Sequence, residues 1–342
     1  MKIGNAGYVR ALSGATLLIL MSSSAHAAPL QYLTGAGDKA TPVIFLTWGL
    51  LLISIVVIVV IGSLLAGAIW RRPGENWKPG VKTPLKGHAG GLNWLWIGVG
   101  ISTLVLLFSI VWTVKVLADI QAPAQKPAVT IEITAKQWWW QVRYLADDNA
   151  HQFVTANEIH IPVGAPVRLK LVGGDVIHSF WVPQLAGKMD AIPGQTNETW
   201  IEAATPGTYR GQCTEYCGLQ HTHMSFLLVA QTADDFRKWW DGQLLPPAAP
   251  TGLAQLGQAD FQMHCGNCHA VRGTEAAGAL GPDLSHLMAR ATIAAGQLPN
   301  NGPVLAHWIA DPQSLKPGSL MPAPSLSETE LADIHAYLKT LD

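Results

Sequence analysis

Residues 213–224 read CTEYCGLQHTHM, and this short stretch decides what kind of scaffold the chain must build. Two thiols, two imidazoles and a thioether lie so close together in the chain that a rigid framework has to hold them. The flanking sequence predicts strands. Polar and apolar residues alternate over 130–134, and Ile159 and Ile161 flank a polar residue. Turn pairs recur at Gly173-Gly174 and at 193–194 and 206–207. Residues 120–240 therefore predict an all-β Greek-key sandwich or barrel, closed by a helical piece over 234–240.

Composition points to a membrane protein. The chain has 342 residues, of which 49% are hydrophobic and 13% are charged, against about 25% charged in typical soluble domains. So many apolar residues exclude a disordered chain. The formal net charge of -1 implies no basic surface for nucleic acid. The length predicts roughly two or three domains.

The N-terminal third carries targeting and membrane signals. Residues 1–27 resemble a secretory signal peptide, with a positive start, an apolar centre and the cleavage sequence Ala25-His26-Ala27. Residues 28–119 predict a transmembrane hairpin, because the runs 43–69 and 92–114 contain no charged residue. The loop 71–91 carries five basic residues against Glu75 alone, which places it in the cytoplasm. The remainder of the chain is then exported.

The stretch 213–224 predicts a copper site. Cys213, Cys217, His221 and Met224, joined by His178 from the end of an upstream strand, form the soft ligand set that favours copper. Two thiolates on one loop allow both sulfurs to bridge two copper ions, with one imidazole for each. A Cys213–Cys217 disulfide and a zinc site are the alternatives, but neither explains the methionine. His160 and His223 are interpreted as histidines with other partners.

The C-terminal part predicts a haem domain. A proline-rich linker over 241–251 precedes residues 252–342, whose apolar positions recur at helical spacing. Cys265-Gly-Asn-Cys268-His269 is the signature of covalent haem attachment, with His269 as an iron ligand. Met321 is the candidate for the sixth ligand, Met288 is the second choice, and Met263 lies too close to the signature. A thioredoxin-like redox pair is the alternative, which would require a βαβ context.

Three stretches carry a family resemblance: DVIHSF over 175–180, KMDAIPG over 188–194 and CTEYCG over 213–218. They resemble subunit II of haem–copper cytochrome c oxidases, over about residues 30–240. Residues 252–342 resemble a class I cytochrome c domain, so the whole is similar to the fused subunit II of caa-type oxidases. The implied fold is a multidomain membrane protein, with a two-helix transmembrane hairpin, an all-β cupredoxin-like domain and an all-α cytochrome c domain.

The resemblance also implies roles for single residues. It assigns the binuclear copper centre called CuA to His178, Cys213, Cys217, His221, Met224 and the backbone carbonyl of Glu215. The Glu215 carboxylate would face a magnesium ion at the boundary with subunit I, near Asp190. Trp138, in the aromatic run 137–140, matches an aromatic residue implicated in electron entry, although core packing is the alternative. Asn93 stands where many members carry a glutamate linked to proton uptake, which puts that contribution in doubt.

The expected function is that of an electron-entry subunit. Electrons from a cytochrome c-type donor would pass through the haem c and CuA to the oxygen-reducing centre of subunit I, coupled to proton translocation. The chain would be a two-pass protein of the bacterial inner membrane, in contact with lipid and other oxidase subunits, with both redox domains on the periplasmic face. The alternatives are a CuA subunit of a nitric-oxide reductase and a copper or thiol assembly factor. A quinol oxidase subunit is disfavoured, because it does not need the copper ligands.

Overall fold

The computed structural model describes residues 30–70 and 90–342. The predicted signal peptide and nearly all of the predicted cytoplasmic loop therefore lie outside the described residues. The described chain contains a helical hairpin, a β domain and a C-terminal helical domain.

Two long apolar helices form the hairpin, α1 over Thr41–Trp70 and α2 over Gly90–Ile120. Both are long and apolar enough to cross a membrane. Helix α2 continues past the predicted end at residue 114 as far as Ile120, and Lys115 and Asp119 form an exposed i,i+4 ion pair at 3.2 Å within this extension. The indole of Trp200 in the β domain donates a hydrogen bond to the last helical carbonyl, that of Ile120, at 3.0 Å. The β domain is therefore attached directly to the end of α2.

The β domain consists of two five-stranded sheets. The first has the order β3-β2-β1-β5-β8 and the second has the order β4-β10-β9-β6-β7. The parallel pairs β1–β5 and β4–β10 require long crossovers, as expected of a cupredoxin-like Greek key. The strand bounds are β1 Val129–Lys136, β2 Trp139–Leu145, β3 Phe153–Ala156, β4 Glu158–Pro162, β5 Val167–Gly173, β6 His178–Trp181, β7 Met189–Ala191, β8 Thr196–Ile201, β9 Gly207–Cys213 and β10 Ser225–Gln231.

The core between the sheets follows the alternation seen in the sequence. Ile131, Ile133 and Ala135 of β1 are fully buried, and the intervening side chains are only partly covered. Trp140 lies at the centre and makes edge-on contacts with Phe180 and with other rings. Helix α3, over Ala233–Gln243, begins at a Thr232 cap and closes the sandwich. This core holds the strand ends that carry the copper ligands.

The C-terminal domain is built around a helix crossing. Its helices are α4 Leu253–His264, α5 Gly302–Ala310, α6 Pro312–Leu315 and α7 Glu328–Leu338, with a two-residue ribbon of β11 Thr292–Ile293 and β12 Leu298–Pro299. Helices α4 and α7 cross closely at Gly257, where any Cβ would collide with the carbonyl of Asp333. Phe261 and Tyr337 pack beside this crossing, with ring centroids 5.5 Å apart. A cavity lies between this domain and the β domain, lined by Leu305 and Ile309 of α5 on one side and by Trp138 and Trp139 on the other.

Candidate copper and haem sites

The predicted copper ligands meet at one end of the second sheet. His178 begins β6 and Cys213 ends β9, and these strands are hydrogen-bonded neighbours. The loop after Cys213 returns through a 3-10 turn over His221–His223. The amide of Cys213 donates to the carbonyl of Met224 at 2.9 Å, which closes the loop on itself. The sheet therefore brings residues distant in the sequence to one point.

Two unbridged thiols form the centre of the site. The Sγ atoms of Cys213 and Cys217 are 3.8 Å apart, far from the length of about 2.05 Å that a disulfide requires. Each sulfur has its own imidazole, because His178 Nδ1 is 3.8 Å from Cys213 Sγ and His221 Nδ1 is 3.5 Å from Cys217 Sγ. Met224 Sδ lies 3.9 Å from Cys217 Sγ. This paired arrangement suits two metal ions that share the sulfurs.

The backbone adds one further donor atom. The carbonyl oxygen of Glu215 lies 3.3 Å from Cys213 Sγ, while its side chain points to solvent. His178, Cys213, Cys217 and Met224 are buried, which excludes water from the sulfurs. Thiolate, imidazole and thioether together form a soft donor set, for which copper is better suited than zinc.

The protonation state of the two thiols favours the binding of a cation. A hydrogen bond from the Cys217 thiol lowers the pKa of Cys213 below that of a free thiol. The same interaction raises the pKa of Cys217, because a second negative sulfur would repel the first. Asp175 accepts a hydrogen bond from His178 Nε2 at 2.8 Å, which leaves Nδ1 free to face the sulfurs. A bound cation would therefore displace one remaining thiol proton.

The two histidines set aside in the sequence analysis have partners of their own. His160 is buried, contacts Glu158 at 3.0 Å and Gln231 at 3.0 Å, and stacks on Trp239. His223 Nδ1 lies 2.6 Å from the side-chain oxygen of Gln220.

The haem signature folds as a tight turn after α4. The amides of Cys268 and His269 both donate to the carbonyl of Cys265, at 3.0 and 2.9 Å. Cys268 and His269 line a largely apolar cavity of about 490 Å³, and Cys265 packs against the domain core beside them. His269 Nδ1 donates to the carbonyl of Pro282 at 2.8 Å, which leaves Nε2 available. Burial lowers the pKa of His269, so its imidazole is neutral, as a metal ligand requires.

The cavity also distinguishes among the methionines. Met321 lines it, whereas Met288 packs against the domain core and Met263 is 71% exposed. Arg290 Nε and Thr292 Oγ1 belong to residues of the cavity wall, and each is buried without a hydrogen-bond partner in the part of the chain that the structure describes. Such orphaned polar atoms suit an acidic group on the occupant, and haem carries two carboxylates. The residues present therefore fit a haem.

Trp138 lies between the two sites. It lines the haem-domain cavity, and its indole Nε1 donates to the carbonyl of Cys217 at 2.9 Å. The Gln137 side chain donates to the same carbonyl at 2.7 Å, and its backbone amide donates to Asp175 at 2.6 Å. The sequence analysis singled out neither Gln137 nor Asp175 as a site residue. Their positions in the sequence could have indicated these roles, because Gln137 directly precedes Trp138 and Asp175 lies three positions before His178.

The remaining predicted positions lie on the surface. The side chains of Asp190 and Glu215 are exposed on the β domain, and Asn93 is exposed near the start of α2. Exposed carboxylates and an exposed helix face leave these groups free to meet another subunit.

Comparisons with known proteins place the chain in a family. A family model of the periplasmic domain of cytochrome c oxidase subunit II matches residues 129–231, and one of cytochrome c matches residues 254–342. Cytochrome c oxidase subunit 2 of Alkalihalophilus pseudofirmus is 38% identical over 297 residues, which cover 85% of this chain and 83% of that one. The Bacillus subtilis protein of the same name is 28% identical, with 73% and 74% covered.

A solved structure is similar over the β domain. The periplasmic domain of subunit II of cytochrome oxidase from Bradyrhizobium japonicum is 33% identical, with a TM-score of 0.33. The match covers 35% of this chain and 96% of that one. The predicted fold class and family resemblance are confirmed by the family models and the relatives together. The chain belongs to the cytochrome c oxidase subunit II family and carries a cytochrome c domain after its periplasmic domain.

Proposed function

We propose that this subunit accepts electrons from a c-type donor at its cytochrome c domain and delivers them, through its β domain, to the oxygen-reducing centre of subunit I. One observation carries the proposal: Trp138 lines the predicted haem cavity, and its indole Nε1 also donates a hydrogen bond to the Cys217 carbonyl. The two sites therefore share one side chain. Binuclear copper and covalent haem each supply a reversible one-electron carrier when bound.

The β domain would hold the copper pair at the loop 213–224 and at the start of β6. The ligands are the sulfurs of Cys213 and Cys217, one imidazole each from His178 and His221, the thioether of Met224 and the Glu215 carbonyl. Asp175 fixes the His178 ring by its hydrogen bond at 2.8 Å. The buried, closely packed loop limits reorganisation between redox states, which is the property an electron carrier needs.

The cytochrome c domain would hold the haem through thioethers from Cys265 and Cys268. His269 and Met321 would be the two iron ligands from the protein, since both line the cavity. The hydrogen bond from His269 to the Pro282 carbonyl keeps the ring oriented toward the iron position. The apolar walls keep water away from the iron.

The helices α1 and α2 would anchor the chain in the bacterial inner membrane and pack against subunit I. The redox domains then lie on the periplasmic side, as the predicted signal peptide and basic loop require. Exposed Glu215 and Asp190 would face subunit I, where Glu215 would contribute to a magnesium site. A nitric-oxide reductase subunit remains the alternative, and consumption of oxygen rather than nitric oxide by the purified complex separates the two.

The test is the rate of electron transfer from haem to copper in the full oxidase complex. After photoreduction of the haem c, the oxidation of the haem and the reduction of the copper are followed by absorbance. We expect Trp138→Phe to slow this step, since the indole hydrogen bond to Cys217 is lost. Trp240→Phe is the matched control, because Trp240 packs against Tyr144 and Phe153, on residues that do not line the cavity. Equal rates in both variants would contradict the assignment of Trp138.

A further inference from the structure

A buried lysine lies at the junction of the two redox domains. Lys316 follows α6 in the cytochrome c domain and is 4% exposed. Lysine is almost never fully buried unless it is paired. Within residues 30–70 and 90–342, however, Lys316 forms no ion pair. Its position therefore requires another explanation.

The partners of Lys316 come from both domains. Its Nζ donates to the carbonyl of Trp138 in the β domain at 3.0 Å and to the carbonyl of Ala294 in the cytochrome c domain at 3.2 Å. Burial lowers the pKa of Lys316 to about 7. Lys316 also lines the haem-domain cavity together with Met321, which follows it by five residues. One amine therefore joins the haem-domain cavity to the segment that carries the Trp138 indole.

Neighbouring contacts support the same docked arrangement. The Gln220 side chain donates to the carbonyl of Pro317, the residue after Lys316. Ser225 donates to the carbonyl of Ala295 through its amide at 3.1 Å and its hydroxyl at 3.0 Å. Pro317, beside Lys316, and Ala295, beside the acceptor Ala294, are therefore both held against the β domain. They lie next to the loop that carries the predicted copper ligands.

We infer that Lys316 is a positioning residue for electron transfer between the haem and the copper pair. Its two hydrogen bonds hold the cytochrome c domain in a fixed position relative to Trp138. The inference rests on the proposed function, and it adds a residue that is not among the predicted copper and haem ligands. A methionine of similar length would fill the space without the donor. Because methionine keeps the apolar packing of the lysine stem and leaves every predicted copper and haem ligand in place, the domains of such a variant are expected to fold.

The experiment uses the full chain loaded with copper and haem, with Lys316→Met and the control Lys339→Met. Lys339 is an exposed lysine at the end of α7 in the same domain. Pulsed EPR measures the distance distribution between the ferric haem and the oxidised copper pair, and photoreduction measures the transfer rate. We expect a broadened distribution and a rate lower by about tenfold or more in Lys316→Met, because the carbonyls of Trp138 and Ala294 lose the amine that joins them. Haem content, copper content and optical spectra should match the wild type.

A distribution and a rate equal to those of the Lys339→Met control would overturn the inference. If Lys316→Met loses haem, Lys316→Gln replaces it, since that shorter side chain cannot span both carbonyls. Failure of the proposed function can be told apart from failure of this inference. If the proposed function is wrong, the wild-type chain itself would show no electron transfer from haem to copper.

Discussion

Replacing Asp175 by alanine tests how the copper ligands are oriented. The carboxylate accepts three hydrogen bonds, from His178 Nε2 at 2.8 Å, from the Gln137 amide at 2.6 Å and from the Val176 amide at 2.6 Å. Without it, the His178 ring loses the contact that selects its tautomer. Loss of a partner that orients a metal ligand typically costs about 10–100-fold in metal affinity. This corresponds to about 1.4–2.8 kcal/mol of binding free energy.

The assay is a competition for copper between the full chain and a chelator of known affinity. Asp147→Ala is the control, because Asp147 is an exposed acid of the same domain on the loop after β2. We expect Asp175→Ala to bind copper about 10–100-fold more weakly while the control is unchanged. An affinity of Asp175→Ala within about twofold of the wild type would refute the reasoning, since this difference is far below the expected effect.

Three further predictions concern other parts of the chain. In Met321→Ala the haem should stay covalently attached, but the loss of the thioether should give a high-spin spectrum and a lower midpoint potential; an unchanged spectrum would exclude Met321 as a ligand. Glu158→Ala leaves the amide of Ala291 without its acceptor at 2.9 Å and removes one of the two hydrogen-bond partners of His160, so denaturant unfolding should show a loss of about 1–3 kcal/mol from the unpaired amide; an unchanged midpoint would contradict this. Hydrogen bonds from Ser327 hold the pKa of Glu330 below its ordinary value of 4.5, so its contribution to stability is present above about pH 4.5 and is lost as the pH falls. The difference in melting temperature between the wild type and Glu330→Gln should therefore vanish in acid, and a difference independent of pH would count against it.

The main secondary-structure elements and the short stretch that carries most candidate ligands could be predicted from the sequence, because both depend on local patterns. Alternation in β1 predicts which side chains are buried, and the absence of charge predicts the two long helices. The end of α2 differs from the prediction, because the charge-free run marks the apolar part of the helix, whereas the helix itself continues through Lys115 and Asp119 to Ile120. The spacing from Cys213 to Met224 is short enough for one loop to carry most of the site. These features require no knowledge of how the domains meet.

The docking of the two domains could not be predicted from the sequence. Lys316 and Trp138 are 178 residues apart, and no periodicity or spacing joins them. A lysine beside proline and glycine in a loop is ordinarily exposed, so its burial depends on the neighbouring domain. The same holds for Asp175 and Gln137, whose roles depend on which backbone groups the fold brings within reach.

The measurement that tests the central claim most directly is the copper and haem content of the purified full chain, together with its EPR spectrum. The account predicts two copper ions for each covalent haem, with one unpaired electron shared equally between the two copper nuclei. One copper ion for each haem, or none with titratable thiols at Cys213 and Cys217, would contradict it.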